Sequence, residues 1–208
     1  MNKFLFLIIT FLLILSCKKD IKSAQKVNNN TEEITIEKNN LKTNYKSLFK
    51  KNPEYVSNGF DFPVGKPDAK GYYNAQKFKE NNHLGDDWNG LGGGNSDLGD
   101  TIFAISNGYI SEVKNYKGGW GNVVRIIHLK NNKLYESLYA HCNKILVLEK
   151  QFIKKGEEIA TIGNNNGQYM AHLHLEVRDA VHLDIGPGYS SDTKGYLDPT
   201  QFIKNNRE

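Results

Sequence analysis

Between residues 101 and 178 the chain is a succession of short apolar runs, each closed by turn-forming residues. Thr101 to Ser106 gives way at Asn107-Gly108, Tyr109 to Val113 at Lys117-Gly118-Gly119, and Val123 to Leu129 at Asn131-Asn132. Leu134 to His141, Ile145 to Leu148 and Ile159 to Ile162 follow, the last entered through Lys155-Gly156 and left through Asn164 to Gly167. Asn-Gly and Asn-Asn pairs accept the positive φ of tight hairpin turns, and no long segment carries the 3.6-residue apolar period of a helix. Runs this short joined by turns this tight fold as hairpins, so the expected fold is all-β and antiparallel.

The final run, Ala171-His172-Leu173-His174-Leu175-Glu176-Val177-Arg178-Asp179, places two of the six histidines one residue apart. Strand side chains alternate, so His172, His174, Glu176 and Arg178 share one face, and Ala171, Leu173, Leu175 and Val177 the other. The apolar face belongs to a core. The imidazoles are about two residue rises apart, roughly 6–7 Å, close enough to address one small site. The plainer alternative is the solvated outer face of an edge strand, and other histidines must decide.

Ahead of the strands, Met1-Asn2-Lys3 is a short basic start and Phe4 to Leu15 an apolar run broken only by Thr10. Such a run is shorter than the roughly twenty residues of a membrane-spanning helix and has the dimensions of a signal-peptide core. Ile14-Leu15-Ser16-Cys17 resembles a bacterial lipobox, so residues 1–16 are expected to be a lipoprotein signal peptide and Cys17 the lipidated residue. Acyl chains there anchor the protein to a membrane without spanning it. Cys142 is then the only free cysteine, which leaves no intrachain disulfide. Residues 17–54 are rich in Lys, Asn, Glu and Thr, too polar to form a core, and read as a flexible tether with one short helix near Tyr45 to Lys51. Residues 55–208 are left as one domain, long enough for a single core burying about 68–70 % of its unfolded surface. A net charge of +4 suits anionic envelope polymers without specifying one, and no basic aromatic motif points to nucleic acid.

Chemistry concentrates in three places. In His83-Leu84-Gly85-Asp86-Asp87 an imidazole and a carboxylate stand four residues apart; both are zinc donors, and one more imidazole makes a three-ligand site with a position open to water. His174 can supply it. In Leu138-Tyr139-Ala140-His141-Cys142, alternation puts Tyr139 and His141 on one face and Leu138, Ala140 and Cys142 on the other. The third place is the His172, His174 strand. The Gly-rich stretch Gly90 to Gly94 lacks the context of a phosphate loop and reads as a mobile wall of a cleft.

His-x-x-x-Asp, then Tyr-Ala-His, then His-x-His, in that order, resembles the lysostaphin/LytM-type zinc metallopeptidases, whose fold contains the duplicated hybrid motif. The likeness extends through Gly121-Asn122-Val123-Val124 and Lys155-Gly156-Glu157 to about Pro199. It implies an antiparallel sheet or sandwich with long loops around a zinc cleft, one Zn²⁺ per domain held by His83, Asp87 and His174, and catalytic roles for His141 and His172. It implies hydrolysis of peptide crosslinks in bacterial peptidoglycan, which with the lipid anchor places the protein in the cell envelope. Two departures bear on specificity: Gly167-Gln168-Tyr169-Met170-Ala171 precedes the histidine pair, and Asp179 to Tyr196 is a longer polar, Gly-rich excursion.

No His-Glu-x-x-His helix is present, so a glutamate base of that kind is missing and an imidazole is the natural replacement. The division of labour between His141 and His172 stays open. Trp88 and Trp120 are candidates to line a substrate cleft, Tyr139 to orient a partner histidine or donate to substrate, and Glu176 and Arg178 to hold ligand geometry by hydrogen bonds. His128 and His182 are expected outside the reaction, as is Asp86. The alternatives are a non-hydrolytic envelope scaffold or activator on the same fold, itself able to work with a protein partner, and a peptidase acting on secreted proteins.

Overall fold

The computed structural model describes residues 43–207. The expected signal peptide, the lipidated Cys17 and the first part of the tether lie outside the described residues. Among the described residues ten strands form: β1 (Tyr72–Gln76), β2 (Asp86–Gly90), β3 (Thr101–Phe103), β4 (Gly108–Asn115), β5 (Asn122–Lys130), β6 (Lys133–Cys142), β7 (Phe152–Ile153), β8 (Glu158–Thr161), β9 (Leu173–Arg178) and β10 (Tyr196–Leu197). Two helices, α1 (Tyr45–Lys51) and α2 (Pro199–Asn205), flank them. The large sheet runs β1-β2-β9-β6-β5-β4-β7, with β10 also on β9, and β3 pairs with β8 in a small second sheet; every pairing is antiparallel. The all-β antiparallel expectation therefore holds.

Local chemistry accounts for several elements. The β5–β6 hairpin turns on Asn131 (φ 49°) and Asn132 (φ 60°), two residues that accept the left-handed region. Ile145 to Leu148, expected as a strand, contributes one bridge, Ile145 to Ala160, and leaves Leu146 and Leu148 exposed. Helix α1 forms where the short helix was expected, capped by the Asn44 side chain, which accepts from the Ser47 N–H. Tyr45 and Phe49, four residues apart and so on one helix face, are buried against Ile127. The folded unit consequently begins ahead of the boundary expected at Tyr55, because this apolar pair docks the helix onto the sheet. No described helix is long and apolar enough to cross a membrane.

One main core fills the space between one face of the large sheet, the small sheet, the segment Phe60 to Val64 and helix α2. Ile126, Tyr139, Leu173, Leu175 and Val177 enter it from the large sheet, Ile102 and Ile159 from the small one, and Phe202 and Ile203 from α2. Each fully buried aliphatic or aromatic side chain here contributes about 1.5–3 kcal/mol. The opposite face of β6 and β9 carries Glu136, Leu138, Ala140, His174, Glu176 and Arg178, brought opposite one another by the Glu136–Arg178, Leu138–Glu176 and Ala140–His174 register. Strand β9 is thus central, not an edge, and all six of its residues are buried. The solvated-edge alternative for its polar face falls away.

Candidate metal centre and cleft

β2 and β9 are neighbours, and their register sets Asp87 opposite His174. His83 sits just before β2, bridged to Tyr189. His83 Nε2, Asp87 Oδ1 and His174 Nδ1 converge, with separations of 3.0 Å between the two imidazole nitrogens, 3.3 Å from His83 to Asp87 and 2.9 Å from His174 to Asp87. Ligand atoms about 2.0–2.1 Å from one tetrahedral zinc stand about 3.3 Å apart, so the three donors have the spacing of one face of such a site. Gly85 lets them meet: a Cβ there would lie 2.4 Å from the Leu175 carbonyl oxygen and 2.9 Å from His174 Cε1.

The electrostatics suit a cation. His174 Nε2–H donates to Glu176 Oε1 at 3.2 Å and Nδ1–H to Asp87 Oδ1 at 2.9 Å, so a cation that displaces the second proton would meet the Nδ1 lone pair aimed at the cluster. Burial alone would lower the His174 imidazole, but Asp87 and Glu176 outweigh it and carry it up to about 9. Burial raises Asp87, yet its hydrogen bonds to His174 and His83 more than offset this and hold the carboxyl far below the usual range. A buried pocket that draws a proton this strongly, with donors at ligand spacing, fits a divalent metal. The residues present therefore fit zinc.

Two further histidines border the cluster. His141 and His172 have ring centroids 4.7 Å apart, and His172 Nε2 is 4.0 Å from Asp87 Oδ1. His172 Nδ1–H donates to the Met170 carbonyl at 2.8 Å, so in the neutral ring the lone pair is on Nε2, the nitrogen nearer Asp87. His141 is pushed down to about 3, first by burial and then by the neighbouring His174 and His172. It is neutral at ordinary pH. These side chains open into a cleft of ≈ 440 Å³ walled by Gln76, Trp120, Tyr169 and Tyr189, with Gly119 and Gly188 at close approach.

His141 reaches the cleft by a route that alternation does not foresee. Between Asn122 and Val124 on β5 and Tyr139 and Cys142 on β6 the pairing slips, leaving β6 one residue longer, and His141 adopts φ 59°. Such a bulge re-aims side chains. Tyr139 and Cys142 consequently share the core face while His141 turns to the cleft, anchored by its N–H to the Trp120 carbonyl at 3.1 Å. Tyr139 is therefore corrected: it is fully buried, its hydroxyl accepting from the Ile105 N–H at 3.1 Å, and it does not face substrate. Trp88 is corrected likewise, since it is buried in the core against Phe62. Burial pushes the Cys142 thiol up to about 12, which removes it as a nucleophile.

Glu176 and Arg178 follow His174 on the same buried face of β9, and Glu176 Oε1 accepts from His174 Nε2–H. Asp86 is apart from the cluster, accepting from Phe78 N–H and from the Thr200 backbone and hydroxyl. His128 is buried between the Asn107 carbonyl and Ser137, and His182 packs on Tyr45. Of the cleft walls, Trp120 stands where it was expected and the others were missed. Gly90 to Gly94 is no part of them; the walls come from the turn around Trp120, from Tyr169 and from Pro187 to Tyr189. Tyr169 and Tyr189 lie on the two segments that depart from the resembled pattern, which was the available signal.

The profile of the family described as Peptidase family M23 matches residues 88–185, a span that includes His141, His172 and His174 and stops short of His83 and Asp87. Lipoprotein NlpD of Yersinia enterocolitica is 40 % identical over 80 residues, 38 % of this chain and 78 % of that protein. Murein hydrolase activator NlpD of Escherichia coli K12 is 39 % identical over 80 residues, 38 % of this chain but only 20 % of that relative's length. Among solved structures, the peptidase lysostaphin from Staphylococcus simulans aligns with a TM-score of 0.45 and 22 % identity over 73 % of this chain and 50 % of that one.

Proposed function

We propose, from the premise that this chain belongs to peptidase family M23, that it is a zinc-dependent metalloendopeptidase acting on the peptide crosslinks of bacterial peptidoglycan. The observation that carries the reading is the set of three donor atoms 2.9–3.3 Å apart beside two histidines at the floor of an open cleft. His83, Asp87 and His174 would hold the ion. Zinc, when bound, polarises a scissile carbonyl and lowers the pKa of water. His172, with its lone pair on Nε2, is the acceptor for the proton that water gives up. Neutral His141, beside it, is placed to donate to or accept from the reacting group as charge shifts. The walls from Trp120, Tyr169 and Tyr189 hold an extended peptide over these groups. Envelope location by an N-terminal lipid at Cys17 is part of the same proposal, supported by the relatives named as lipoproteins.

The names of the NlpD relatives support the substrate class, since one is a murein hydrolase activator. That name also favours a second reading, a non-hydrolytic activator of a separate wall hydrolase. A complete donor set with two adjacent histidines weighs for hydrolysis, because an activator needs none of them. The test is digestion of purified peptidoglycan of several crosslink types by the zinc-loaded full chain beside His174→Ala, with products identified by mass spectrometry. New peptide ends made only by the unmutated chain establish the peptidase. No new ends from a chain that binds zinc stoichiometrically would turn the reading to the activator.

A further inference from the structure

We propose that Glu176 and Arg178 are positioning residues that couple the metal-ligand His174 to the segment 182–189, whose end at Pro187 to Tyr189 walls the cleft, so that binding of the ion orders that segment. The inference rests on the metal reading above and goes beyond it.

The contacts form one continuous buried chain. His174 Nε2–H donates to Glu176 Oε1 at 3.2 Å. The other oxygen, Glu176 Oε2, accepts from Arg178 Nε at 2.7 Å and lies 2.5 Å from Nη2. Arg178 spends its remaining N–H groups on that segment and on Glu136: Nη1 donates to the Leu183 carbonyl at 3.4 Å and to Glu136 Oε1 at 3.3 Å, and Nη2 to the Ile185 carbonyl at 3.3 Å. Glu136 Oε2 accepts the His182 N–H at 3.1 Å, and Arg125 Nη2 joins Glu136 to the Leu183 carbonyl at 2.7 Å. Glu136, Glu176 and Arg178 are fully buried. The segment they grip continues to Gly186, whose carbonyl accepts from Trp120 Nε1–H at 2.9 Å, and to Tyr189, whose ring is 5.1 Å from that of His83.

Buried charges are retained at a desolvation cost and are held only where every partner is in place. An ion seated on His174 therefore fixes the ring whose Nε2–H holds Glu176, and through Glu176 the Arg178 fork that grips the Leu183 and Ile185 carbonyls. The outer end closes the loop, because Tyr189 packs on a second ligand residue. Coupling of this kind is reciprocal: if the ion orders the wall, disturbing the relay must weaken the ion.

The test measures zinc affinity by competition with a chromophoric chelator, and backbone hydrogen exchange over 182–189 with and without zinc, on the full chain. Two variants interrupt the relay without emptying it, since outright loss of Arg178 would strand two buried carboxylates. Glu176→Gln keeps an acceptor for His174 but loses the charged grip on Arg178, and Arg178→Lys keeps the charge but cannot reach both carbonyls. In the unmutated chain zinc is expected to slow exchange across 182–189 about tenfold, within the 5–150-fold range of coupled sites. Glu176→Gln should bind zinc about 10–100-fold more weakly, and at saturating zinc its exchange over 182–189 should no longer respond. An unchanged zinc affinity in Glu176→Gln, or zinc-dependent protection that persists in both variants, overturns the coupling. A chain that binds zinc tightly with no change over 182–189 overturns it too, whereas an unmutated chain that binds no zinc removes the metal reading itself.

Discussion

His128 offers a quantitative test of which histidines belong to the reaction and which to the core. Its imidazole is fully buried, Nδ1–H donating to the Asn107 carbonyl at 2.8 Å and Nε2 lying 2.7 Å from Ser137 Oγ, with the Phe60 ring edge-on at 5.5 Å. Burial pulls it down to about 4, against an opposing contribution from the Asn107 carbonyl. Folding therefore requires a neutral ring, and the folded value lies below the unfolded value of about 6.5. The stability this provides is fully present above about 6.5 and is lost as pH falls towards and through about 4. At about 1.4 kcal/mol per pH unit the gap amounts to about 3 kcal/mol, a sizeable part of the about 5–15 kcal/mol of an ordinary domain. The assay is urea unfolding of the metal-free full chain and of His128→Gln, at intervals from pH 8 to pH 4. Other carboxylates and histidines titrate in both proteins, so the difference between the two curves isolates His128. The unmutated chain should lose about 3 kcal/mol relative to the variant over that interval. A constant difference would mean that His128 is solvated or protonated in the fold, and would refute its assignment to the core.

Zinc at a hundredfold excess over its dissociation constant should stabilise the chain by about 2.7 kcal/mol in thermal unfolding, and His83→Ala should abolish the effect; equal shifts in both would place the ion elsewhere. Gly85→Ala should cost zinc affinity without touching a donor, because its Cβ would press on His174, and a titration with unchanged affinity would refute that crowding. Tyr139→Phe should lower stability by about 1–3 kcal/mol by depriving the Ile105 N–H of its acceptor, with turnover per folded molecule unchanged; lost turnover in a folded variant would return Tyr139 to the site. Cys17→Ala should abolish lipid labelling and release the chain from membranes, and persistent labelling would rule out Cys17 as the anchor.

What the sequence determined by itself was the class of fold and the identity of the chemical groups. Strand-length runs closed by Asn-Gly and Asn-Asn leave the backbone little choice but hairpins, and Asn131 and Asn132 take the positive φ that their turn demands. The candidate donors and histidines stood out because few side chains can hold a metal or move a proton near neutral pH, while their division into ligands and catalytic groups came from the family resemblance. Only the tertiary structure decided which way side chains face and what surrounds them. Alternation assigns Tyr139 and His141 to one side, but one extra residue in β6 separates them, and a bulge is a property of two paired strands rather than of either sequence. The polar face of β9 looks solvent-exposed when read alone; it is buried because β2 and β6 flank the strand and residues 182–185 cover its charges. The two tryptophans are equally apolar on paper, yet Trp88 packs into the core while Trp120, held by the Gly186 carbonyl, walls the cleft. Burial is a sum over residues distant in sequence, which is why local pattern names the donors and packing alone arranges them.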